Sequence, residues 1–396
     1  MNPIRRKAVP RYAALSVSIL AVLASQQAAQ AACVLRTDLT PQTWICDGPA
    51  SANTSGQTIV FSPTVTTAST AAGFGVDTGN SGTALTINGA GSFTDANQSS
   101  IRGGAGIYFR YNGYDPDQGD VPLSLVSNGS IAAVHGFGLS LETSHAGQVS
   151  LDLGSVTGGD GQGYSYAYGI LVSAPSAPVS VITRGTVSMA PSNGGEAVSI
   201  NAGGPVSVTT QGAVSGVGGG RGINAATTNG DIMIAAASRV SGYTGIQAYA
   251  ARGGISITAD GQVTGNGAAS VGVNASLGSA STGDLTIRTA GVDAGARAIN
   301  ADNSGTGSLS VIATGPVSRS GSTATFGTDA AVNAHNAASG RDLTLQLGDV
   351  STPGATAVYA WNQGTTGRTA VTLAGAVTRG SSNPTGVTDT VMVWNS

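Results

Sequence analysis

One short phrase of alternating apolar and polar residues recurs from about residue 82 to the end of this 396-residue chain. The phrase opens with Gly-x-[Val/Ile/Leu]-[Ser/Thr]-[Val/Ile/Leu] and closes, after a Gly-rich stretch of variable length, with Gly/Ala-[Ile/Val]-x-Ala. Successive openings from position 123 onward recur roughly every 28 residues, a period within the range that stacked repeat proteins use. An earlier, looser opening is Leu85–Ile87, and the others are Leu123–Leu125, Val149–Leu151, Val179–Val181, Val206–Val208, Ile232–Ile234, Ile255–Ile257, Leu285–Ile287, Leu309–Val311, Leu343–Leu345 and Val371–Leu373.

The close of the phrase forms a second column of similar tripeptides. Most read Ile/Val-Asn-Ala, and two have a different middle residue. The copies are Ile200–Ala202, Ile223–Ala225, Ile246–Ala248, Val273–Ala275, Ile299–Ala301, Val332–Ala334 and Val358–Ala360. Two columns with one period indicate a single structural unit stacked many times.

The period of two within each tripeptide predicts strands, because alternate side chains of a strand point to opposite faces. Each strand has only three to five residues, so it needs neighbours above and below to bury its apolar side. Glycine and asparagine between the phrases supply corners with positive φ, and the variable gaps become loops at one or two corners. The sequence therefore predicts an all-β fold, a right-handed parallel β-helix of roughly ten or more rungs.

Other repeat folds fit the pattern less well. A leucine-rich repeat needs leucine and asparagine at fixed spacing together with helix formers, and a propeller blade needs four strands in about 40 residues. The chain has 60 Gly, and no segment after its first residues keeps a 3.6-residue apolar period, which argues against helices.

Charge is concentrated at the N-terminus. Arg5, Arg6, Lys7 and Arg11 give the segment 1–31 a charge of +4, so its removal changes the net charge from −3 to −7. The remaining chain has no lysine and no basic stripe, which argues against a nucleic-acid partner.

The N-terminus has the three parts of a secretory signal peptide. The basic residues precede the apolar run Tyr12–Ala24, which is too short to span a membrane, and Ala29–Ala31 is a small-x-small cleavage pattern. We expect cleavage between Ala31 and Ala32 and export to the cell surface or the medium through the periplasm and outer membrane. A twin-arginine signal at Arg5 and a lipoprotein cysteine at Cys33 are the alternatives.

Cys33 and Cys46 are the only cysteines, and an exported chain places them in an oxidising compartment. We expect them to form a disulfide, which is worth roughly 3 kcal/mol for a loop of this length on the chain-entropy argument. His135, His145 and His335 are not at metal-ligand spacing, so we predict no metal site and no cofactor.

Several segments resemble the passenger domains of autotransporters, the proteins of type V secretion. They are Gly82–Ile87, Gly91–Thr94, Ile101–Gly104, Gly106–Ile107 and the Gly-Thr-Gly phrase in Ala301–Leu309. The resemblance covers most of residues 33–396 and implies a β-helical passenger displayed on, or released from, an outer membrane. We thus divide the chain into a signal peptide at 1–31, an N-terminal cap segment at 32–81 and a parallel β-helix at 82–396.

The chain departs from that family at its C-terminus. Autotransporters end in a translocating β-barrel of amphipathic strands of about ten residues, and no such pattern occurs here. Instead Val391–Ser396 echoes Val358–Gln363, so the sequence stops within a rung. We expect a truncated or split passenger whose full-length form has a translocator, with a free-standing β-helix as the alternative. An open strand edge would also favour end-to-end self-association.

The sequence offers no convincing catalytic residues. Polysaccharide lyases with this fold need clustered acids and a Lys or Arg base, and glycosidases need two neighbouring carboxylates. Glu142 and Glu196 are the only glutamates, and most aspartates lie in Gly-rich turns. Gly79–Gly82 resembles a serine protease motif, and Gly158–Gly163 resembles a calcium-binding repeat, but each lacks its partners. We predict a protein that is not an enzyme.

Tyrosines are the remaining candidates for a binding site. Tyr108, Tyr111 and Tyr114 lie in the densest aromatic and charged segment. On a strand, Tyr164, Tyr166 and Tyr168 would share one face. Exposed tyrosines can stack on sugars or partner surfaces, although they can also cover the β-helix as a structural ladder.

These observations together predict a non-enzymatic, exported, adhesin-like β-helix. Its ligand would be a cell surface, a matrix component or a glycan. The alternatives are a β-helical enzyme acting on polysaccharides and an inert stalk for a part encoded elsewhere.

The disulfide can be tested directly. Peptide mass spectrometry of the exported protein should find Cys33 and Cys46 joined, and together they would hold the N-terminal segment over the first rung. Alkylation of both thiols without prior reduction would contradict the prediction.

Overall fold

A computed structural model describes the backbone of residues 33–36, 43–46, 59–61, 67–69, 75–77, 80, 82–88, 91–95, 100–111, 120–162, 167–191, 194–321, 330–354, 356–380 and 390–396. Within this set, side chains are described from residue 77 onward except at residue 88. These residues form strands and turns, and none belongs to a helix with the length and apolarity that a membrane span requires.

The strands are short and follow one another closely. The first are β1 (Cys33–Arg36), β2 (Thr43–Cys46), β3 (Ile59–Phe61), β4 (Thr67–Ser69), β5 (Gly75–Asp77), β6 (Thr83–Asn88), β7 (Gly91–Asp95), β8 (Ser100–Gly103), β9 (Ala105–Tyr111), β10 (Leu123–Ala133), β11 (Leu139–Thr143), β12 (Val149–Gly158) and β13 (Ala167–Ala174). The next are β14 (Val179–Thr183), β15 (Val187–Met189), β16 (Gly194–Ala202), β17 (Val206–Thr210), β18 (Val214–Ser215), β19 (Val217–Gly218), β20 (Arg221–Thr227), β21 (Ile232–Ala236), β22 (Val240–Gly242), β23 (Thr244–Ala250), β24 (Ile255–Ala259), β25 (Val263–Gly265) and β26 (Val271–Leu277). The last are β27 (Leu285–Thr289), β28 (Val292–Ala294), β29 (Arg297–Asn303), β30 (Leu309–Ala313), β31 (Val317–Arg319), β32 (Val332–Asn336), β33 (Leu343–Leu347), β34 (Val350–Thr352), β35 (Val358–Asn362), β36 (Thr369–Leu373), β37 (Val377–Arg379) and β38 (Val391–Asn395).

Apart from β1, β2 and β19, these strands stack into three parallel ladders, and each coil of the chain adds one strand to each ladder. Strand β19 pairs antiparallel with β16. Ladder 1 contains β4, β7, β10, β12, β14, β17, β21, β24, β27, β30, β33 and β36. Ladder 2 contains β5, β8, the second halves of β10 and β12, β15, β18, β22, β25, β28, β31, β34 and β37. Ladder 3 contains β3, β6, β9, β11, β13, β16, β20, β23, β26, β29, β32, β35 and β38. The predicted parallel β-helix is confirmed.

The alternation found in the sequence sets the core. In β30, for example, Leu309, Val311 and Ala313 are buried, whereas Ser310 and Ile312 are only partly buried. The same inward positions in successive coils lie directly above one another, as Ile287, Val311 and Leu345 do. Each fully buried Val, Ile or Leu side chain stabilises the fold by roughly 1.5–3 kcal/mol, so the thin core is sustained by repetition.

Three registers differ from those that the sequence pattern predicts. Leu85–Ile87 pairs with β9 and belongs to ladder 3, not to the opening column of ladder 1. Ile200 aligns with Ala225 instead of Ile223, and Val371 aligns with Leu345 instead of Leu343. All three strands have the same two-residue alternation. A shift of two residues keeps every side chain on its face, and strands of different ladders share the pattern, so the pattern alone fixes neither the register nor the ladder.

Small residues at the start of the ladder 3 strands let the chain turn the corner. A Cβ atom added at Gly222 would lie 2.5 Å from the carbonyl oxygen of Gly245 in the next coil, and one added at Gly245 would lie 2.7 Å from that of Gly272. Alanine occupies the corresponding position at Ala298. The close approach of the next coil therefore favours small residues at this position, glycine in the tightest coils and alanine in coils that leave room for a Cβ atom.

The length variation lies at the two corners that flank ladder 3. The step from ladder 1 to ladder 2 has the same length in 232–240 and in 309–317. The step from ladder 2 to ladder 3 is short in 240–246 and more than twice as long in 317–332. The variable loops that the sequence predicts are thus concentrated beside ladder 3.

The N-terminal segment includes both a separate hairpin and the first coil. Strands β3, β4 and β5 pair in parallel with β6, β7 and β8, so the solenoid pairing extends back to Ile59. Strands β1 and β2 form an antiparallel pair in which Cys33 is directly opposite Cys46. The side chains of both cysteines, and residues 1–31 with the Ala31–Ala32 bond, lie outside the described residues.

The last coil has a described neighbour on one side only. Its inward apolar residues Val371, Leu373, Val377 and Val391 are partly buried, whereas their counterparts in the preceding coil are fully buried. The apolar core is therefore open at this end of the described structure.

An asparagine ladder runs through the interior of the later coils. Asn303, Asn336 and Asn362 occupy the same inward position and have no exposed surface. The Nδ2 of Asn303 donates to Oδ1 of Asn336 at 2.7 Å, and the Nδ2 of Asn336 donates to Oδ1 of Asn362 at 3.0 Å. The same amide groups also bond corner backbone atoms, including the carbonyl oxygen of Arg341. This inner ladder satisfies polar groups that would otherwise be buried without partners.

Replacing Asn336 by Ala should lower the free energy of unfolding by roughly 2–4 kcal/mol, because the amides of Asn303 and Asn362 would lose a buried hydrogen bond. Urea denaturation followed by circular dichroism measures the change. Asn333→Ala is the matched control, since Asn333 lies on the same strand but faces outward. An equal loss in both variants would contradict the role of the inner ladder.

Candidate ligand-binding surface

Ladder 3 carries the described aromatic residues that face outward near the C-terminus. Two neighbouring columns of outward side chains run along it, and we call them outer column 1 and outer column 2. Outer column 1 contains Tyr108, Ser140, Leu171, Ser199, Asn224, Gln247, Asn274, Asn300, Asn333, Tyr359 and Met392. Outer column 2 contains Arg110, Glu142, Ser173, Asn201, Ala226, Tyr249, Ser276, Asp302, His335, Trp361 and Trp394.

Outer column 1 contains a partly exposed ladder of side-chain amides. The Nδ2 of Asn300 donates to Oδ1 of Asn274 at 2.8 Å, and the Nδ2 of Asn333 donates to Oδ1 of Asn300 at 2.7 Å. Parallel strands bring identical residues into register about 4.8 Å apart, which lets like amides bond in series. The ladder fixes a row of polar groups on the surface.

Aromatic side chains follow this amide ladder in the last coils. Tyr359 and Trp361 lie on β35, and Trp394 lies on β38 directly above Trp361 in the register. Trp394 is 55% exposed. We call His335, Tyr359, Trp361 and Trp394 the aromatic patch.

His335 links the aromatic patch to a carboxylate. Its Nδ1 lies 3.1 Å from Oδ1 of Asp302, its Nε2 lies 3.4 Å from Oε1 of Gln363, and its ring centroid lies 5.0 Å from that of Trp361. A doubly protonated imidazole can donate to both oxygens. The hydrogen bond to Asp302 is the main reason that the pKa of His335 is raised above 6.5; partial burial opposes the rise, and the charge of Asp302 and the bond to Gln363 assist it.

The tyrosines singled out in the sequence fall into different environments. Tyr108 is in outer column 1, and its hydroxyl donates to Oε2 of Glu142 at 3.0 Å. Burial, followed by the bond to Glu142, raises the pKa of Tyr108. Tyr111 faces the interior, is 7% exposed and stacks on His145 with ring centroids 4.1 Å apart. Tyr168 is a partly buried residue of β13.

Tyr114, Tyr164 and Tyr166 lie outside the described residues. Of the six tyrosines, Tyr108 and Tyr168 are therefore placed on the outward side of ladder 3, two coils apart. The aromatic patch lies several coils away from them.

Sequence reasoning missed the aromatic patch, although a signal for it was present. Tyr359 takes the middle position of a tripeptide that elsewhere contains asparagine, and Trp361 follows two residues later. A middle position faces outward, so an aromatic residue there lies on the outer side of the ladder. A search of middle positions for aromatic substitutions would have found it.

Most acids in the described part of the chain contact structural partners. Oδ1 of Asp231 accepts the backbone N–H of Gly254 at 2.6 Å, and Asp284, Asp342 and Asp349 make similar bonds to the next coil. Glu196 accepts hydrogen bonds from Arg221 and Asn224. In the described residues no three His, Cys, Asp or Glu side chains converge as a metal site would require.

One further histidine–carboxylate pair lies at the corner between ladders 2 and 3. Nδ1 of His135 is 2.9 Å from Oδ1 of Asp160, which also accepts the backbone N–H of Gln162 at 2.9 Å. The bond from Gln162, followed by that from His135, lowers the pKa of Asp160. Both bonds hold the turn.

Comparison with known proteins gives no family for this chain. No protein-family model matches it, and neither a curated protein nor a solved structure shows significant similarity.

The replacement Asp302→Asn should lower the pKa of His335, because it removes the partner that raises it. Protonation of His335 stabilises the fold below pH 6.5, the ordinary pKa, and this contribution disappears as the pH rises through the raised folded value. The variant should thus lose stability relative to the parent at pH 5 but not at pH 8.5.

Histidine ring signals followed by NMR across this pH range measure the shift. The signals of His135 and His145 are internal controls because they lie on earlier coils. An unchanged pKa of His335 in the variant would show that Asp302 does not set it.

Proposed function

We propose that the mature chain is a non-enzymatic, exported surface protein of the adhesin type, comparable to the passenger of an autotransporter. The observation that carries the proposal is the pair of outer columns on ladder 3. There, partly exposed amides and aromatic rings lie side by side along a regular parallel ladder, and Trp394 is 55% exposed. Such a surface suits contact with an extended partner better than enclosure of a small substrate, which needs a concave site.

The remaining support comes from the sequence and from the fate of the charged residues. The basic N-terminus, its short apolar run and the Ala29–Ala31 motif predict export. The carboxylates of Asp231, Asp284 and Asp342 bond backbone N–H groups at corners of the solenoid, which is a structural role. A glycan-cleaving enzyme would instead need such acids in a groove.

The proposal also includes the location of the contact. The corners with variable loops flank ladder 3, so the loops and the outer columns can contact one partner together. Residues on ladder 1 point to a different side of the solenoid, and a change there should leave the contact intact.

Ser276→Arg should reduce binding of the purified mature protein to host, matrix or bacterial surfaces by about tenfold, because it places a long cation in the middle of outer column 2. Ser256→Arg is the matched control. It lies in the same coil but faces outward from ladder 1. Binding is measured on immobilised cells and matrix preparations.

Release of reducing ends from plant and animal polysaccharides is assayed in parallel. Robust cleavage of any polymer would contradict the adhesin proposal and show that the protein is an enzyme. A complete lack of surface binding by the parent protein would instead favour an inert stalk.

A further inference from the structure

The aromatic patch brings three aromatic rings together on the outward side of the last two coils. Trp361 and Trp394 occupy the same outward position in consecutive coils, and Tyr359 lies two residues from Trp361 on the same strand. Neighbouring coils are about 4.8 Å apart and alternate residues of a strand about 7 Å apart. These rings therefore form one column parallel to the solenoid axis with one ring beside it.

Polar groups border these rings on the side of the preceding coils. The amide of Asn333 lies directly below Tyr359 in outer column 1, and Asp302 lies two coils below Trp361 in outer column 2. Each ladder amide has a second N–H besides the one that it donates within the ladder. Gln363 adds another amide next to His335. Aromatic faces beside amides and a carboxylate match a molecule that has apolar faces and many hydroxyl groups.

The charge of this region favours a neutral ligand. From Asn274 to Met392 outer column 1 has no charged residue, and from Ser276 to Trp394 outer column 2 has Asp302 and the titrating His335 but no Arg or Lys. An anionic polysaccharide would need cations that are not present in these two columns, and Asp302 would repel it.

The size of the region argues against a protein partner. The two columns are about 7 Å apart, and the three coil intervals from Asp302 to Trp394 extend about 14 Å. A stable protein interface buries about 800 Å² on each partner, far more than this region provides. Its length and width suit two to four sugar units of a linear chain.

We infer that the aromatic patch binds a neutral, extended glycan whose chain runs parallel to the solenoid axis. Sugar rings stack on Trp361, Trp394 and Tyr359, and their hydroxyl groups bond the amides of Asn333 and Gln363 and the carboxylate of Asp302. This inference rests on the proposed adhesin-like function and names its ligand class.

Isothermal titration of the full mature chain tests the inference with cellohexaose, chitohexaose, mannohexaose and xylohexaose, and with oligogalacturonate and oligoalginate as anionic counterparts. At least one neutral hexasaccharide should bind, and the anionic ones should bind at least tenfold more weakly. Trp361→Ala should reduce the affinity about tenfold, whereas Trp361→Phe should keep most of it because an aromatic face remains.

Met233→Ala is the matched control, because Met233 is a large exposed side chain that faces outward from ladder 1, outside the proposed contact surface. This variant should bind like the parent. An equal loss in both variants, a preference for the anionic sugars or no binding of any sugar would overturn the inference. Circular dichroism of each variant verifies that the fold is retained.

Sedimentation velocity tests whether a second copy of the chain, and not a glycan, occupies the patch. A dimer of the parent protein that Trp361→Ala abolishes would make the patch a contact between two copies and would also overturn the inference. If surface binding persists and still responds to Ser276→Arg while no sugar binds, the glycan inference fails and the proposed function stands. If surface binding is absent as well, both fail.

Discussion

The in-register parallel stacking of short strands is the interaction on which the rest of this structure depends. A strand of three to five residues cannot bury its apolar side alone, but between two identical strands about 4.8 Å away it makes hydrogen bonds on both edges. Each side chain then has its equivalent as a neighbour above and below. The core is consequently a bundle of columns such as Ile287, Val311 and Leu345, each built from equivalent residues of successive coils.

The same stacking makes polar ladders possible on both sides of one strand. On β32, Asn336 points inward and bonds Asn303 and Asn362, whereas Asn333 points outward and bonds Asn300. The inner ladder satisfies the polar groups of a corner within a low-dielectric interior, where an unpaired amide is costly. The outer ladder fixes donors and acceptors on a surface whose backbone is bonded on both sides. The spacing of these donors and acceptors is therefore set before binding, so binding costs little conformational entropy at these side chains.

The sequence by itself determined the parallel β-helix, since period-two tripeptides such as Leu309–Val311 that recur at a nearly constant interval have few other solutions. It also determined which residues of each strand face inward, and that loop lengths vary between coils. It did not determine the register of Ile200 or Val371, because a shift of two residues leaves the alternation unchanged. The assignment of Leu85–Ile87 to ladder 3 was likewise decided only by pairing, since strands of different ladders have the same alternation.

Which residues become neighbours on the surface depended still more on tertiary structure. Asp302, His335 and Trp361 lie on three different coils, and only the stacking of those coils brings them together. Tyr111 is close in sequence to Tyr108 yet faces the interior, because the step between their positions on one strand is odd. Sequence fixes the face of a residue through local alternation, whereas its neighbours on that face come from other coils, and their identity follows only from the register of the stacked strands.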